Sequence, residues 1–238
     1  EPQRRMNRNV AYNDMVEESV MGAPAFQEEA FFEYHLYTLD GTTTIANRET
    51  KQLELLSATG AGVTRRLIVD AGGRYGWSQR RPGGGRGTNE ISAAVVVEFE
   101  NSEANNMGMP LPAGTVRLYK ADRDGQLQFL GEDNIGHTPR NEELRLYVGD
   151  AFDVVAERKI VSNERISDNV YEQTVEVEVR NRKETSTQVT VVEPVYGDWT
   201  MRNESHPHEK LDAYTIAFPL TIGAGETATV RYTVRVRN

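Results

Sequence analysis

Strict alternation of apolar and polar residues dominates the last part of the chain. Val175, Val177 and Val179 alternate with Glu176, Glu178 and Arg180, and Val230, Tyr232, Val234 and Val236 alternate with Arg231, Thr233, Arg235 and Arg237. A period of two puts the apolar side chains on one face of a strand and the charges on the other. Acids facing outward on one strand and bases on another are what cross-strand pairing on a solvated face uses. Between these runs, Val189 and Val191 continue an inward face, Pro194 to Trp199 makes a corner, and Tyr214–Leu220 is a further strand.

The same signature recurs upstream with less regularity. Phe32, Tyr34 and Leu36 alternate with Glu33, His35 and Tyr37, so FFEYHLYT reads as a strand, followed by the turn signal LDGTT. Lys51–Leu56, Thr64–Val69 and Ile91–Glu100 read as the next three. Pro110, Pro112 and Ala113-Gly114 then break and turn the chain. Thr115–Lys120 and Gln126–Leu130 predict a hairpin across Asp122–Gly125, because Asp-Gly supplies the backbone conformation that a tight turn demands. Glu142–Val148 and Phe152–Ile160 follow at similar spacing. Short strands at regular intervals, with no amphipathic helical pattern, predict an all-β chain of two β-sandwich-like domains, residues 31–155 and 156–238, the second immunoglobulin-like. Val95–Val155 is the seam that hands the chain from one to the other. Residues 1–30 are polar without a steady period and predict an extended tail or arm. Residues 70–88, rich in glycine and arginine, predict a long loop inside the first domain.

Composition narrows the function. Thirty-six acidic residues against 27 basic ones give a formal net charge of −9, which disfavours nucleic acid and anionic membranes as partners. The chain has no cysteine, so disulfides, thiolate metal sites and cysteine nucleophiles are excluded. No run of 18 apolar residues occurs, and no helical membrane span is expected. Hydrophobic residues make up 38% of the chain, low for a globular protein, which suits thin β layers with a large polar surface.

Several segments, in one order along residues 31–238, resemble a single bacterial family: EYHLYTL, TKQLELL, ENSEANNMGMPLPAGTVRLYKAD, FLGEDNIGHTP, LYVGDAFDVVAERK, VVEPVYGDW and ESHPHEKLDA. It is the family known as domain of unknown function 4139. The resemblance implies an exported, β-rich bacterial protein of the periplasm, cell surface or medium, with this chain matching the C-terminal half of longer members. The sequence departs from the family's pattern at Gly72–Gly87, where its glycine and arginine content is unusual. The family carries no established activity, so the resemblance implies no mechanism.

Three groups of residues could carry chemistry. His206 and His208 in SHPHEK form a His-x-His pair with Glu204, Glu209 and Asp212 nearby. On an extended segment such a pair can turn both rings to one side and bind a divalent metal, given a third ligand such as His35 or His137. The structural alternative is a loop fixed by Pro207, with histidines bonded to backbone or solvent. Arg74, Tyr75, Trp77, Arg80 and Arg81 lie in the 70–88 loop, and arginines with aromatics on a glycine-rich loop can stack on sugars or contact a protein. Asp122-Arg123-Asp124-Gly125 resembles the start of a calcium loop but lacks its closing glutamate, so a hairpin turn is expected. No nucleophile elbow, paired-carboxylate motif or phosphate loop stands out. The leading expectation is a non-enzymatic exported structural or interaction protein without a cofactor, assembling with itself through strand edges or through residues 1–30. The alternatives are an envelope-glycan module using the loop, and a metal-dependent enzyme using the two histidines.

Overall fold

The computed structural model describes residues 26–39, 41–77 and 90–237. Most of the expected arm, and Arg80 and Arg81 of the loop, lie outside the described residues. The chain divides into two compact units, residues 1–59 and residues 60–238.

In the first unit, β1 (Phe26–Phe31) and β2 (Tyr34–Leu39) form an antiparallel hairpin. Phe32 and Glu33 are its two-residue turn, with Phe32 at a φ of 58° and largely exposed. FFEYHLYT is therefore a turn entering a strand, where alternation alone predicted one strand. Lys51–Leu56 is no strand at all, although Leu53, Leu55 and Leu56 are half-buried. Its residues are helix formers with no β-branched member, so nothing local favours an extended pairing.

The second unit is built on strands throughout, and the described residues hold no α-helix. They are β3 (Thr64–Asp70), β4 (Glu90–Glu100), β5 (Gly114–Ala121), β6 (Leu127–Ile135), β7 (Glu143–Ser167), β8 (Val170–Asn181), β9 (Thr187–Pro194), β10 (Asp198–Glu204), β11 (Glu209–Asp212), β12 (Thr215–Ile222) and β13 (Thr227–Arg237). Nine of them share one sheet in the order β10-β13-β8-β7-β4-β3-β9-β12-β11. All its neighbours are antiparallel except β3 and β9, which run parallel over Ile68–Asp70 and Thr190–Val192. The sheet folds over so that β9 and β12 face β7, β8 and β13, as in a β-sandwich. Leu67, Val69, Val154, Val175, Val177, Val179, Val189, Val191, Phe218, Val230 and Val234 fill the space between, and the rings of Phe218 and Tyr232 meet at 5.3 Å.

The all-β, sandwich-type architecture is as expected, but its division is not. β7 was expected as two strands with a domain boundary at 155/156; it runs unbroken through that position. Strands from both sides of the boundary alternate in the one sheet. Extra residues on β7 opposite Ser92–Ala94 and Val95–Val96 bend it, so one strand serves β4 along its first half and β8 along its second. The outward pairing of charges is as the alternation predicts. Arg235 lies opposite Glu172 at 2.9 Å and Arg231 opposite Glu176 at 3.6 Å. Such exposed pairs contribute about 0–1 kcal/mol each; their effect is on register more than on stability.

β5 and β6 form a separate ribbon across the expected Asp122–Gly125 turn. Thr115 and Asn134, Arg117 and Glu132, Tyr119 and Phe129, and Ala121 and Leu127 make a ladder of opposed pairs on its outer face, polar at the root and apolar towards the tip. The root is held against β7. The carboxylate of Asp133 accepts the Tyr147 N–H at 2.9 Å, and Gly131 lies so close to β7 that a Cβ there would sit 2.1 Å from the Val148 carbonyl oxygen. Gly131→Ala must therefore push the ribbon off β7. We expect a loss of about 1–3 kcal/mol and faster amide exchange across β5 and β6, read by hydrogen exchange.

Candidate functional site

The chain leaves β3 at Asp70 and turns back over the outer face of the sheet. Asp70 directs the turn: its buried carboxylate accepts the backbone N–H groups of Arg74 at 2.9 Å and Tyr75 at 3.0 Å. Gly72 permits it, since a Cβ there would lie 2.6 Å from the Pro194 ring at the end of β9. The turn lays Trp77 on Ile68, Ala94, Val96, Val192 and Ala217, where it is only 5% exposed. The rings of Tyr75 and of Tyr147 on β7 stack with the indole at 4.4 and 5.7 Å.

Trp77 is thus a cover for the outer face. Tyr75 is taken as well: the guanidinium groups of Arg145 and Arg74 lie 5.1 and 5.6 Å from its ring centre. Arg74 itself is bound to the Asp212 carboxylate and donates to Thr215 Oγ1 at 2.5 Å. Its hydrogen bond to Asp212 raises the Arg74 pKa further. Asp212 is held below the usual carboxylate range, first by the Tyr214 backbone N–H and then by Arg74. Beside this stack, Glu98 is buried between Arg66 and Arg145, with Arg145 Nε at 2.6 Å. The result is a continuous run of arginines, carboxylates and aromatic rings in which each charge already has its partner. The arrangement binds the loop to the sheet.

Each histidine likewise has a local partner. His208 Nδ1 lies 2.5 Å from Glu204 Oε2, and its ring packs near Trp199 and Phe218 at 6.0 and 6.2 Å. His206 Nδ1 lies 2.9 Å from the Ser205 hydroxyl, which also accepts the Arg231 N–H. His137 accepts the Ala113 N–H at 3.3 Å, and His35 pairs with Glu28 at 2.7 Å within the β1–β2 hairpin. Among the described residues no group of three or more histidine, aspartate or glutamate side chains is placed to hold a metal ion. The carboxylate of Asp122 accepts the Asp124 and Gln126 N–H groups and the Gln128 side chain, and these bonds, Gln128 first, lower its pKa. It is the pivot of a hairpin, as expected.

One cluster was not foreseen. Glu193 of β9 points into the sandwich, and its side chain is wholly buried. Arg158 Nε on β7 donates to both of its oxygens, at 3.2 and 3.0 Å, and the Tyr232 hydroxyl on β13 donates at 2.7 Å. Burial raises the Glu193 pKa, with Arg158 and then the Tyr232 hydroxyl opposing it, and burial likewise drives the Tyr232 phenol up. The triad ties three strands together across the core. No family model matches the chain, and no curated protein or solved structure does either.

Proposed function

We infer that the chain is a non-enzymatic, exported interaction protein that assembles with its own copies by strand addition. The observation that carries this is the far edge of β7. From Arg158 to Ser167 β7 is bonded to β8 on one side, while its pairing with β4 ends at Glu157. Among the described residues no strand lies along that second side, and Ile160, Val161 and Ile166 are exposed in the same stretch. A long edge of this kind offers unpaired N–H and C=O groups as a template for another strand, and main-chain bonds then supply affinity without distinctive side chains. Register shifts at Ile160/Ser162 and Arg165/Ser167 twist the edge, so only a strand of matching shape pairs along its length. Export rests on the family resemblance alone.

The test is mass in solution against concentration, with hydrogen exchange at each step. Mass is expected to rise, and the amides of residues 158–167 to gain protection in parallel. Ile160→Lys with Ile166→Lys places charge on the edge and should remove that protection while moving the unfolding free energy by no more than about 0.5 kcal/mol, as surface changes do. A chain that stays monomeric at every concentration overturns the proposal.

A further inference from the structure

The β5–β6 ribbon reverses its polarity along its length. At the root, the face towards β7 carries Val116, Leu118, Gly131 and Asp133, all half-buried or buried. The other face there carries the exposed pairs Thr115–Asn134 and Arg117–Glu132. Beyond the root the arrangement inverts. Lys120 and Gln128 pair on the side that continues the covered face, while Tyr119, Phe129, Ala121 and Leu127 share the outer face with Arg117 and Glu132. The extra residue Leu130 sets this up, because it brings Phe129 and Glu132 to one side of β6 although they lie three apart. Tyr119 is 52% exposed, Phe129 55% and Leu127 71%. A two-stranded ribbon is marginally stable in water by itself. This one presents its largest apolar residues to solvent, on the face opposite the one held to β7.

Charge narrows the occupant. The turn at the tip is Asp122-Arg123-Asp124-Gly125, so a lipid layer entered tip-first would have to take up charge before any apolar residue. The apolar surface is lateral and suits a second ribbon laid on it. Beside it, Arg117 Nε and Glu132 Oε2 lie 3.0 Å apart across the ribbon, both side chains more than half exposed. An acid and a base paired in this way make the face complementary to itself. A two-fold axis along the ribbon lays β5 of one copy over β6 of the other, so each residue meets its own cross-strand partner. Arg117 then faces the partner's Glu132, Tyr119 the partner's Phe129, and Ala121 the partner's Leu127. A two-fold axis across the ribbon reverses it and sets the charged pair over the apolar end. We propose that the outer face of the β5–β6 ribbon packs on the same face of a second copy, about a two-fold axis along the ribbon. The root is held to β7 by its opposite face, so β7 of each copy lies outside the paired ribbons. This rests on the self-assembly proposed above and adds a second contact to it. Four partly exposed apolar side chains offer less than the roughly 800 Å² per partner of a standard interface. The ribbon alone therefore holds copies weakly, and with the β7 edge it lets each copy engage two neighbours.

The test uses the full chain in the Ile160→Lys, Ile166→Lys background, where the β7 edge is blocked, with mass read by sedimentation. A dimer should persist there at high concentration. Leu127→Glu should weaken it at least about tenfold while leaving the unfolding midpoint unchanged. Arg117→Glu alone leaves only acids at the charged end of the contact, and Glu132→Arg alone leaves only bases, so each variant by itself should be monomeric. Mixed in equal amounts, the two should form a heterodimer about as tight as the parent dimer, because every acid then faces a base. A defect internal to one chain gives no such rescue on mixing. Four results overturn the proposal: no dimer in the blocked background, a dimer indifferent to Leu127→Glu, no heterodimer from the mixed variants, or a monomer that binds phosphatidylcholine vesicles through Leu127, which would assign the face to lipid. Any of these, with the wild type still gaining mass and protection at residues 158–167, removes the ribbon contact alone. A wild-type chain that stays monomeric at every concentration removes the self-assembly proposal as well.

Discussion

Replacing Arg158 with alanine is expected to lower the unfolding free energy by about 3–5 kcal/mol at neutral pH, the usual cost of leaving one member of a buried ion pair without its partner. The carboxylate left behind is wholly enclosed, and among the described residues Tyr232 is the other side chain bonded to it. In the intact protein burial works against the Arg158 charge, but Glu193 and Tyr232 outweigh it and hold the guanidinium protonated. With Arg158 gone, nothing but the phenol opposes the desolvation of Glu193, and its pKa rises further. The sign of the pH dependence follows. A carboxyl whose folded pKa lies above its unfolded value of about 4.3 contributes stability at low pH and loses it as pH rises through the folded value. The Arg158→Ala penalty should therefore shrink on acidification from pH 7 towards pH 5, while the wild type changes less. Arg158→Met with Glu193→Leu and Tyr232→Phe removes all three polar groups together and should lie within about 1–2 kcal/mol of wild type, because no buried group is left unpaired. Urea unfolding at the two pH values measures all of these. A single variant that costs under about 1 kcal/mol at pH 7 would mean that the carboxylate is reached by solvent.

Trp77→Ala carries the second large effect. It strips the cover from Ile68, Val96, Val192 and Ala217 and leaves Tyr75 without the ring it stacks on. Truncating a buried tryptophan costs about 3–5 kcal/mol. The chain has two tryptophans, so a Trp199→Phe background isolates the Trp77 emission, which should be shielded from quencher. If envelope glycan were the ligand, Trp77→Phe, which keeps a cover on the sheet, would lose retention on the polysaccharide with little loss of stability. The packing predicts the opposite: stability tracks the size of residue 77, and retention does not.

Both effects concern residues whose roles the sequence conceals. Strands β3, β4, β8, β12 and β13 were legible because a period of two over several residues is a local signal, and the β5–β6 turn because Asp-Gly is a local device. Glu193 also sits at an inward position of an alternating strand. Read locally, a glutamate in VVEP belongs to a corner; its partners lie 35 and 39 residues away. Trp77 looked like a binding residue because its neighbours are glycine and arginine, and only the tertiary fold shows the apolar face waiting beneath it. The domain boundary failed for the same reason. Alternation reveals which face of a strand is inward, not which strand it lies beside, and here β9 returns to lie against β3. His206 and His208 were correctly adjacent in sequence, yet the short connection from β10 to β11 gives each its own local partner.

The parallel contact of β3 with β9 also has a consequence for how the chain reaches its native state. Each of its register partners lies on the order of a hundred residues along the chain from the other, whereas β4, β7, β8 and β13 can be assembled largely by shorter closures. Long loops are the slow closures in folding, because their entropy is lost before any contact offsets it. Closing the sheet across Ile68–Asp70 is thus expected to be the late event, after the β4-to-β13 half has formed around its valines. For a chain that emerges from its N-terminal end, β3 waits until β9 has been made. Through that interval Leu67 and Val69 are expected to stay uncovered, and transiently exposed apolar surface of this kind is what makes a partly folded chain prone to misassembly.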